Sequence, residues 1–99
     1  MGEGSAGGVS AQRFTITGHV QGVGYRWWAK AEAQALSLRG WVRNRRDGSV
    51  ELLAIGEPGA LEALAAACRR GPAGAAVAAV AIARAEDDGS PGFTQVSPV

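Results

Sequence analysis

The feature that most constrains the fold of this 99-residue chain is the order in which strand-like and helix-like patterns follow one another. Alternating apolar and polar residues with β-branched or aromatic side chains are typical of strands, whereas apolar residues three or four positions apart are typical of helices. An Asp-Gly pair at 47–48 predicts a hairpin turn between two of the strand patterns. The strand patterns lie at 13–17, 41–44, 50–55 and 77–83, with a short final strand at 93–96. One helix is predicted between the first two strands, from 26 to about 38, and another between the third and fourth, from the 57–59 turn to 70.

The predicted order, β-α-β-β-α-β, is that of a ferredoxin-like α+β sandwich. In such a sandwich two helices cover one face of an antiparallel sheet, which here has four or five strands depending on residues 93–96. The third strand is expected to lie between the first and the second. We therefore expect one domain over residues 12–99, preceded by a flexible tail at 1–11 that is rich in small residues.

Composition narrows the kinds of site that the chain can build. One cysteine, Cys68, excludes an internal disulfide and a cysteine-based zinc site, and a single histidine leaves few metal ligands, so no metal or cofactor is expected. The formal net charge of +1 is too small to predict a nucleic-acid partner. No apolar segment is long enough to cross a membrane, and the N-terminus lacks the pattern of a secretion signal. We expect a cytoplasmic monomer without a membrane or nucleic-acid partner.

The segment Gly18–Arg26 predicts an anion site where the first strand gives way to the first helix. Gly22 and Gly24 permit a sharp turn, and the backbone N–H groups at a helix start lack intrahelical partners and attract phosphate. Arg26 adds a planar fork of donors that matches phosphate oxygens. The segment is not a dinucleotide fingerprint, because Trp27 stands where the third glycine belongs, and it is not a P-loop, because no Gly-Lys-Ser/Thr follows.

Simple geometry predicts that Arg26 and Asn44 face one cavity. A helix of about 13 residues and a returning strand of about six residues each span roughly 20 Å, so the second strand ends level with the loop. With the third strand between them, the lateral gap is about 10 Å. An asparagine amide can accept a hydrogen bond from a water molecule and donate one to it. The alternative is that Asn44 only opens the hairpin, since asparagine is common in turns.

Two spaced signatures in the chain resemble those of the acylphosphatase family. The first is Gly18-x-Val20-Gln21-Gly22-Val23-x-Tyr25-Arg26, and the second is Gly40-Trp41-Val42-Arg43-Asn44 followed by Gly48-x-Val50 and Gly56. Arg70-Gly71-Pro72 and Gly92-Phe93 are also similar to the family, so the resemblance covers about residues 12–97. Two signatures in the expected structural context are far more specific than either one alone.

The resemblance implies a metal-independent hydrolase that cleaves the carboxyl–phosphate bond of small acyl phosphates. Its products are a carboxylate and inorganic phosphate, and phosphate is expected to inhibit. The resemblance assigns catalytic roles to Arg26 and Asn44, with Asn44 orienting the attacking water. It assigns phosphoryl binding to Arg26 and to the backbone N–H groups of Gln21, Gly22, Val23, Gly24, Tyr25 and Arg26.

Other interpretations of the sequence remain open. A non-catalytic module with the same loop would bind phosphate without turnover. An RNA-recognition motif has the same element order, but residues 50–55 lack the aromatic side chains that stack on bases. Similar domains also begin a large hydrogenase-maturation protein that handles carbamoyl phosphate, whereas this chain ends just after the domain, which favours a stand-alone enzyme.

Two groups of side chains near the predicted site have undecided roles. Arg43, Arg45 and Arg46 either steer anionic substrates or are solvated charges at a hairpin. Trp27 and Trp28 follow the site arginine directly, and the sequence does not tell which of the two rings faces the core.

Overall fold

The strands and helices follow the predicted order in a computed structural model, which describes residues 8–99. The elements are β1 (Ser10–His19), α1 (Tyr25–Ala35), β2 (Arg39–Asn44), β3 (Val50–Gly56), α2 (Pro58–Arg70), β4 (Ala76–Arg84) and β5 (Phe93–Gln95). Strand β1 is longer than predicted, because Ser10 and Ala11 pair with β3 at one end while Gly18 and His19 pair with β4 at the other. Two residues of the predicted 1–11 tail are therefore strand, and residues 1–7 of that tail lie outside the described part of the chain.

The sheet has the strand order β4-β1-β3-β2-β5, with β3 between β1 and β2 as predicted. Strand β1 pairs antiparallel with β4 and with β3, and β3 pairs antiparallel with β2. Strand β5, in contrast, pairs parallel with β2. The sheet is therefore mixed and not purely antiparallel. After β4, on one edge, residues 85–92 cross to the other edge, so β5 starts at the same end of the sheet as β2. The predicted ferredoxin-like α+β fold is confirmed.

Both helices pack on one face of this sheet and enclose the main core. Alternate residues of the strands point to that face; Phe14 and Ile16 of β1 are fully buried there, whereas Val77 and Val80 of β4 are partly buried. Helix α1 contributes Ala29 and Ala33, whose small side chains let the helix lie close to the strands. Neither helix within residues 8–99 is long and apolar enough to cross a membrane.

The helix-free face of the sheet carries a buried carboxylate, that of Glu51 in β3. Three guanidinium groups surround it: Arg43 Nε lies 2.9 Å and Arg45 Nη1 3.1 Å from Oε1, and Arg13 Nε lies 3.4 Å from Oε2. Arg43 also lies over the Trp41 ring, 4.6 Å from its centroid. Arg43 and Arg45 are thus ion-paired with a buried carboxylate, which neither of the two predicted roles, substrate steering or solvated hairpin charge, included.

Candidate functional site

A cavity of about 120 Å³ lies where the β1–α1 loop meets the end of β2. Strands β1 and β2 run in the same direction, since both are antiparallel to β3, so the loop that follows β1 and the last residue of β2 share one edge of the sheet. The lining residues are Val20, Gln21, Gly22, Gly24, Tyr25, Arg26 and Trp27 from the loop and the first turn of α1, with Asn44 from β2 and Gln95 from β5. All the residues predicted for the site line this cavity except Val23.

The loop backbone has the geometry of an anion cradle. Gly22 and Gly24 have φ angles of 77° and 78°, in the left-handed region that only glycine adopts readily. Backbone turns of this kind aim successive N–H groups into one concavity. Helix α1 starts after Gly24 without a side-chain cap, and its first turn contains no acidic residue. The first N–H groups of the helix therefore keep their hydrogen-bonding capacity and their positive potential for an anion.

Arg26 places a half-buried cation beside this cradle. It is the second residue of α1, and none of the ion pairs found within residues 8–99 involves it. The neighbouring arginines at 43 and 45 are instead paired with Glu51 on the other face of the sheet. The charge of Arg26 is thus available to an anion in the cavity, where partial burial strengthens the attraction.

Asn44 ends β2 and faces the helix-covered side of the sheet, opposite Val50. Its Oδ1 is buried and has no hydrogen-bond partner within residues 8–99. The hairpin turn is held by other groups: the Asp47 carboxylate accepts hydrogen bonds from the Ser49 N–H at 2.9 Å and from the Ser49 hydroxyl at 2.6 Å. These hydrogen bonds of the turn do not involve the Asn44 side chain. A buried acceptor without a partner costs free energy, which is typical of a site that supplies the partner from its ligand.

The side chain of Gln21 ties the cradle to the hairpin that carries Asn44. Its Nε2 donates to the backbone carbonyls of Arg45 and Ser49, with both distances 2.8 Å. The sequence suggested only a backbone role for Gln21, whereas its side chain holds the two halves of the cavity wall together. A glutamine at a loop start carries no signal for this contact, because both acceptors are main-chain atoms more than 20 residues away.

Two loop residues direct their side chains into the core. Val23 packs against the main core and does not line the cavity. The Tyr25 ring is buried, and its hydroxyl donates to the Cys68 carbonyl at 2.7 Å. Burial, with a smaller contribution from the nearby Cys68, raises the pKa of Tyr25 well above its ordinary value. The phenol therefore stays protonated near neutral pH and cannot serve as a base there.

The remaining ionisable candidates lie away from the cavity. His19 is exposed at the end of β1 and is not among the lining residues. Burial raises the pKa of the Cys68 thiol to about 11, so the thiol is protonated at neutral pH. Cys68 lies in the main core and is fully buried. Within residues 8–99, no three His, Cys, Asp or Glu side chains are grouped closely enough to hold a metal ion.

Comparison with known proteins identifies the family. The acylphosphatase family model matches residues 12–95. The acylphosphatase of Acidiphilium cryptum (strain JF-5) is 46% identical over 85 residues, which cover 86% of this chain and 93% of that protein. The crystal structure of acylphosphatase from Bacillus subtilis matches with a TM-score of 0.85 at 35% identity, over 89% of this chain and 98% of that one. The chain belongs to the acylphosphatase family.

Acylphosphatases hydrolyse acyl phosphates, and this chain is an enzyme of that class. The same domain also occurs inside a longer protein. The crystal structure of full-length HypF, in its phosphate- and nucleotide-bound form, matches with a TM-score of 0.85 at 27% identity. The match covers 91% of this chain but 12% of that one. The A. cryptum acylphosphatase, in contrast, is matched over nearly its whole length.

Three residues that line the acylphosphatase cavity are not among the predicted site residues: Val20, which directly precedes them, Trp27 and Gln95. Gln95 reaches it because β5 pairs beside β2, a contact across 53 positions of the chain that no local pattern encodes. Trp27 lines the cavity while Trp28 packs against the core, which answers the question that the sequence left open.

Replacing Gln21 with leucine is expected to lower the free energy of unfolding by about 1–3 kcal/mol, because two hydrogen bonds worth about 0.5–1.5 kcal/mol each are lost, although each carbonyl keeps a backbone donor within the hairpin. The same change should reduce acylphosphatase activity, since the cradle and the hairpin are no longer held together. Urea unfolding with a parallel activity assay tests this, with Gln12→Leu in β1 as a control outside the cavity. Equal stability of Gln21→Leu and the wild type would contradict the structural role assigned to the Gln21 side chain.

Proposed function

We propose that this acylphosphatase hydrolyses its substrate with a water molecule oriented by Asn44, while Arg26 and the backbone N–H groups of residues 21–26 hold the phosphoryl group. The observation that carries the proposal is the buried Oδ1 of Asn44, which has no hydrogen-bond partner within residues 8–99 and belongs to a residue that lines the same cavity as Arg26. An acceptor on one wall and donors on the other suit a water molecule and a phosphoryl group placed side by side.

The proposed reaction needs little covalent help from the protein. Water attacks the phosphorus atom, the bond between phosphorus and the bridging oxygen breaks, and its electron pair leaves with the carboxylate. Phosphoryl transfer of this kind is promoted mainly by positioning and by stabilising negative charge on the phosphoryl oxygens. The guanidinium of Arg26 and the first N–H groups of α1 supply that stabilisation, and the amide of Asn44 supplies the positioning.

The proton lost by the attacking water goes to a phosphoryl oxygen of the substrate. Among residues 8–99, those that line the cavity include no carboxylate, histidine or cysteine, and the one phenol among them, that of Tyr25, has a pKa raised by burial. A carboxylate is a stable leaving group, so the departing oxygen needs no protonation by an acid.

The experiment that tests the proposal follows benzoyl phosphate hydrolysis in the ultraviolet, with a chelator present throughout. We expect saturable turnover, competitive inhibition by inorganic phosphate, and unchanged rates after dialysis against the chelator, since the proposed chemistry uses no metal ion. Loss of activity in the chelator, restored by added metal, would contradict metal independence. Phosphate binding by a folded protein without turnover would instead support a non-catalytic anion-binding module. A monomeric state and a cytoplasmic location remain predictions.

A further inference from the structure

The two adjacent tryptophans of α1 have opposite environments. The Trp28 ring is half-buried against the core and meets Tyr25 edge-on, with ring centroids 5.3 Å apart and planes at 64°. The Trp27 side chain is 71% exposed and nevertheless lines the cavity beside Arg26. The chain has six aromatic residues, and Trp27 is the one that is largely exposed. A large aromatic surface is thus presented to solvent at the rim of the proposed active site.

The size of the cavity determines where the two parts of an acyl phosphate must lie. Its volume of about 120 Å³ is well below the roughly 300 Å³ at which pockets begin to enclose drug-sized ligands. The phosphoryl group occupies the cradle, because the N–H donors and Arg26 are there. The acyl group is joined to it through a single oxygen, so an acyl group too large for the space that remains in the cavity extends across the rim. Trp27 is the large apolar side chain at that rim.

We propose that the exposed indole of Trp27 is the contact surface for the acyl part of the substrate, and that it favours aromatic or extended apolar acyl groups over acetyl. The inference rests on the proposed function, since it assumes that the phosphoryl group occupies the cradle. Flat aromatic rings stack on an indole face with a gain beyond simple burial, whereas an acetyl methyl group covers little of that face. Trp27 is accordingly a specificity-determining residue, distinct from the residues that act on the phosphoryl group.

The test compares kcat/KM for benzoyl phosphate and acetyl phosphate in the wild type, Trp27→Ala and Trp27→Phe. We expect the benzoyl-to-acetyl ratio to fall about threefold to tenfold in Trp27→Ala, as estimated from typical aromatic pair energies. Trp27→Phe keeps an aromatic face and should retain most of the wild-type ratio. Trp41→Ala is the matched control, because the Trp41 ring lies on the helix-free face beside Arg43, and its ratio should equal that of the wild type.

The outcomes separate this inference from the proposed function. An unchanged ratio in a folded Trp27→Ala, with the wild type still active and still inhibited by phosphate, overturns the role of Trp27 and leaves the proposed function standing. An equal fall of the benzoyl-to-acetyl ratio in Trp41→Ala also overturns the role of Trp27, because the change in the ratio would then not depend on a side chain at the cavity rim. A wild type that hydrolyses neither substrate overturns both. Thermal melting of each variant establishes that it is folded before its kinetics are compared.

Discussion

Replacing Arg26 with alanine is expected to lower kcat/KM for benzoyl phosphate by about 10²-fold to 10³-fold, the loss typical of removing one donor that stabilises transition-state charge. Arg26 is the half-buried cation of the cavity, and no ion pair found within residues 8–99 engages it. The developing charge on the phosphoryl oxygens then has only backbone N–H groups to meet it. Steady-state kinetics measure the loss, and inhibition by inorganic phosphate should weaken in parallel because the same group binds the product.

Two comparisons sharpen this result. Arg26→Lys keeps the charge but loses the planar fork, so we expect an intermediate activity. Arg46→Ala removes an exposed arginine at the β2–β3 turn that does not line the cavity, and its kinetics should match those of the wild type. If phosphate still protected Arg26→Ala against thermal unfolding as well as it protects the wild type, Arg26 would not be the phosphate ligand.

Replacing Asn44 with alanine is expected to lower kcat by about 10²-fold or more while KM changes little. The amide is proposed to orient water in the transition state, whereas the phosphoryl group is held by Arg26 and the loop backbone. Phosphate inhibition should therefore survive in Asn44→Ala, in contrast to Arg26→Ala. Benzoyl phosphate kinetics with phosphate as the competing ligand measure both quantities. A raised KM with unchanged kcat would overturn the water-orienting role of Asn44.

The stability of Asn44→Ala separates a functional role from a structural one. Since Oδ1 of Asn44 is buried without a partner within residues 8–99, its removal breaks no hydrogen bond of that oxygen in the described structure. We therefore expect the melting temperature to stay the same or to rise, because deletion of an unsatisfied buried polar atom relieves a desolvation cost. If Asn44→Ala loses activity while its stability is unchanged or higher, the wild-type asparagine serves function at a cost in stability. A large fall in melting temperature would instead indicate that Asn44 supports the hairpin.

The local sequence patterns predict the order and type of the strands and helices, but they place some of the ends of these elements incorrectly. Residues 13–17 alternate visibly, but Ser10 and Ala11 were assigned to the tail, since only pairing with β3 makes them strand. The parallel placement of β5 was missed for the same reason, as it depends on a crossover from the opposite edge of the sheet. Periodicity reports which face of a segment is apolar, and it does not report the neighbour that the segment pairs with.

The arginines of the β2–β3 hairpin also show that residues adjacent in the sequence need not belong to the same site. In the sequence, Arg43 and Arg45 flank Asn44 and look like part of one charged site. Successive residues of a strand point to opposite faces, so Asn44 turns toward the cavity while Arg43 turns toward Glu51 on the helix-free face. Arg45, just beyond the strand, reaches the same carboxylate. Adjacent positions in the chain thus belong to different surfaces of the protein.

Local sequence patterns predict the order of the elements, the glycines of the loop and the position of Arg26 at a helix start, and two signatures indicate the family. These depend on short-range properties: side-chain periodicity, allowed φ angles and residue spacing. Only the packed fold shows that the Gln21 side chain joins the two halves of the cavity, that Oδ1 of Asn44 has no partner within residues 8–99, and that Trp27 and not Trp28 lies at the rim. Each of those follows from how distant segments pack, because burial and hydrogen-bond partners are set by neighbours that are far apart in the chain.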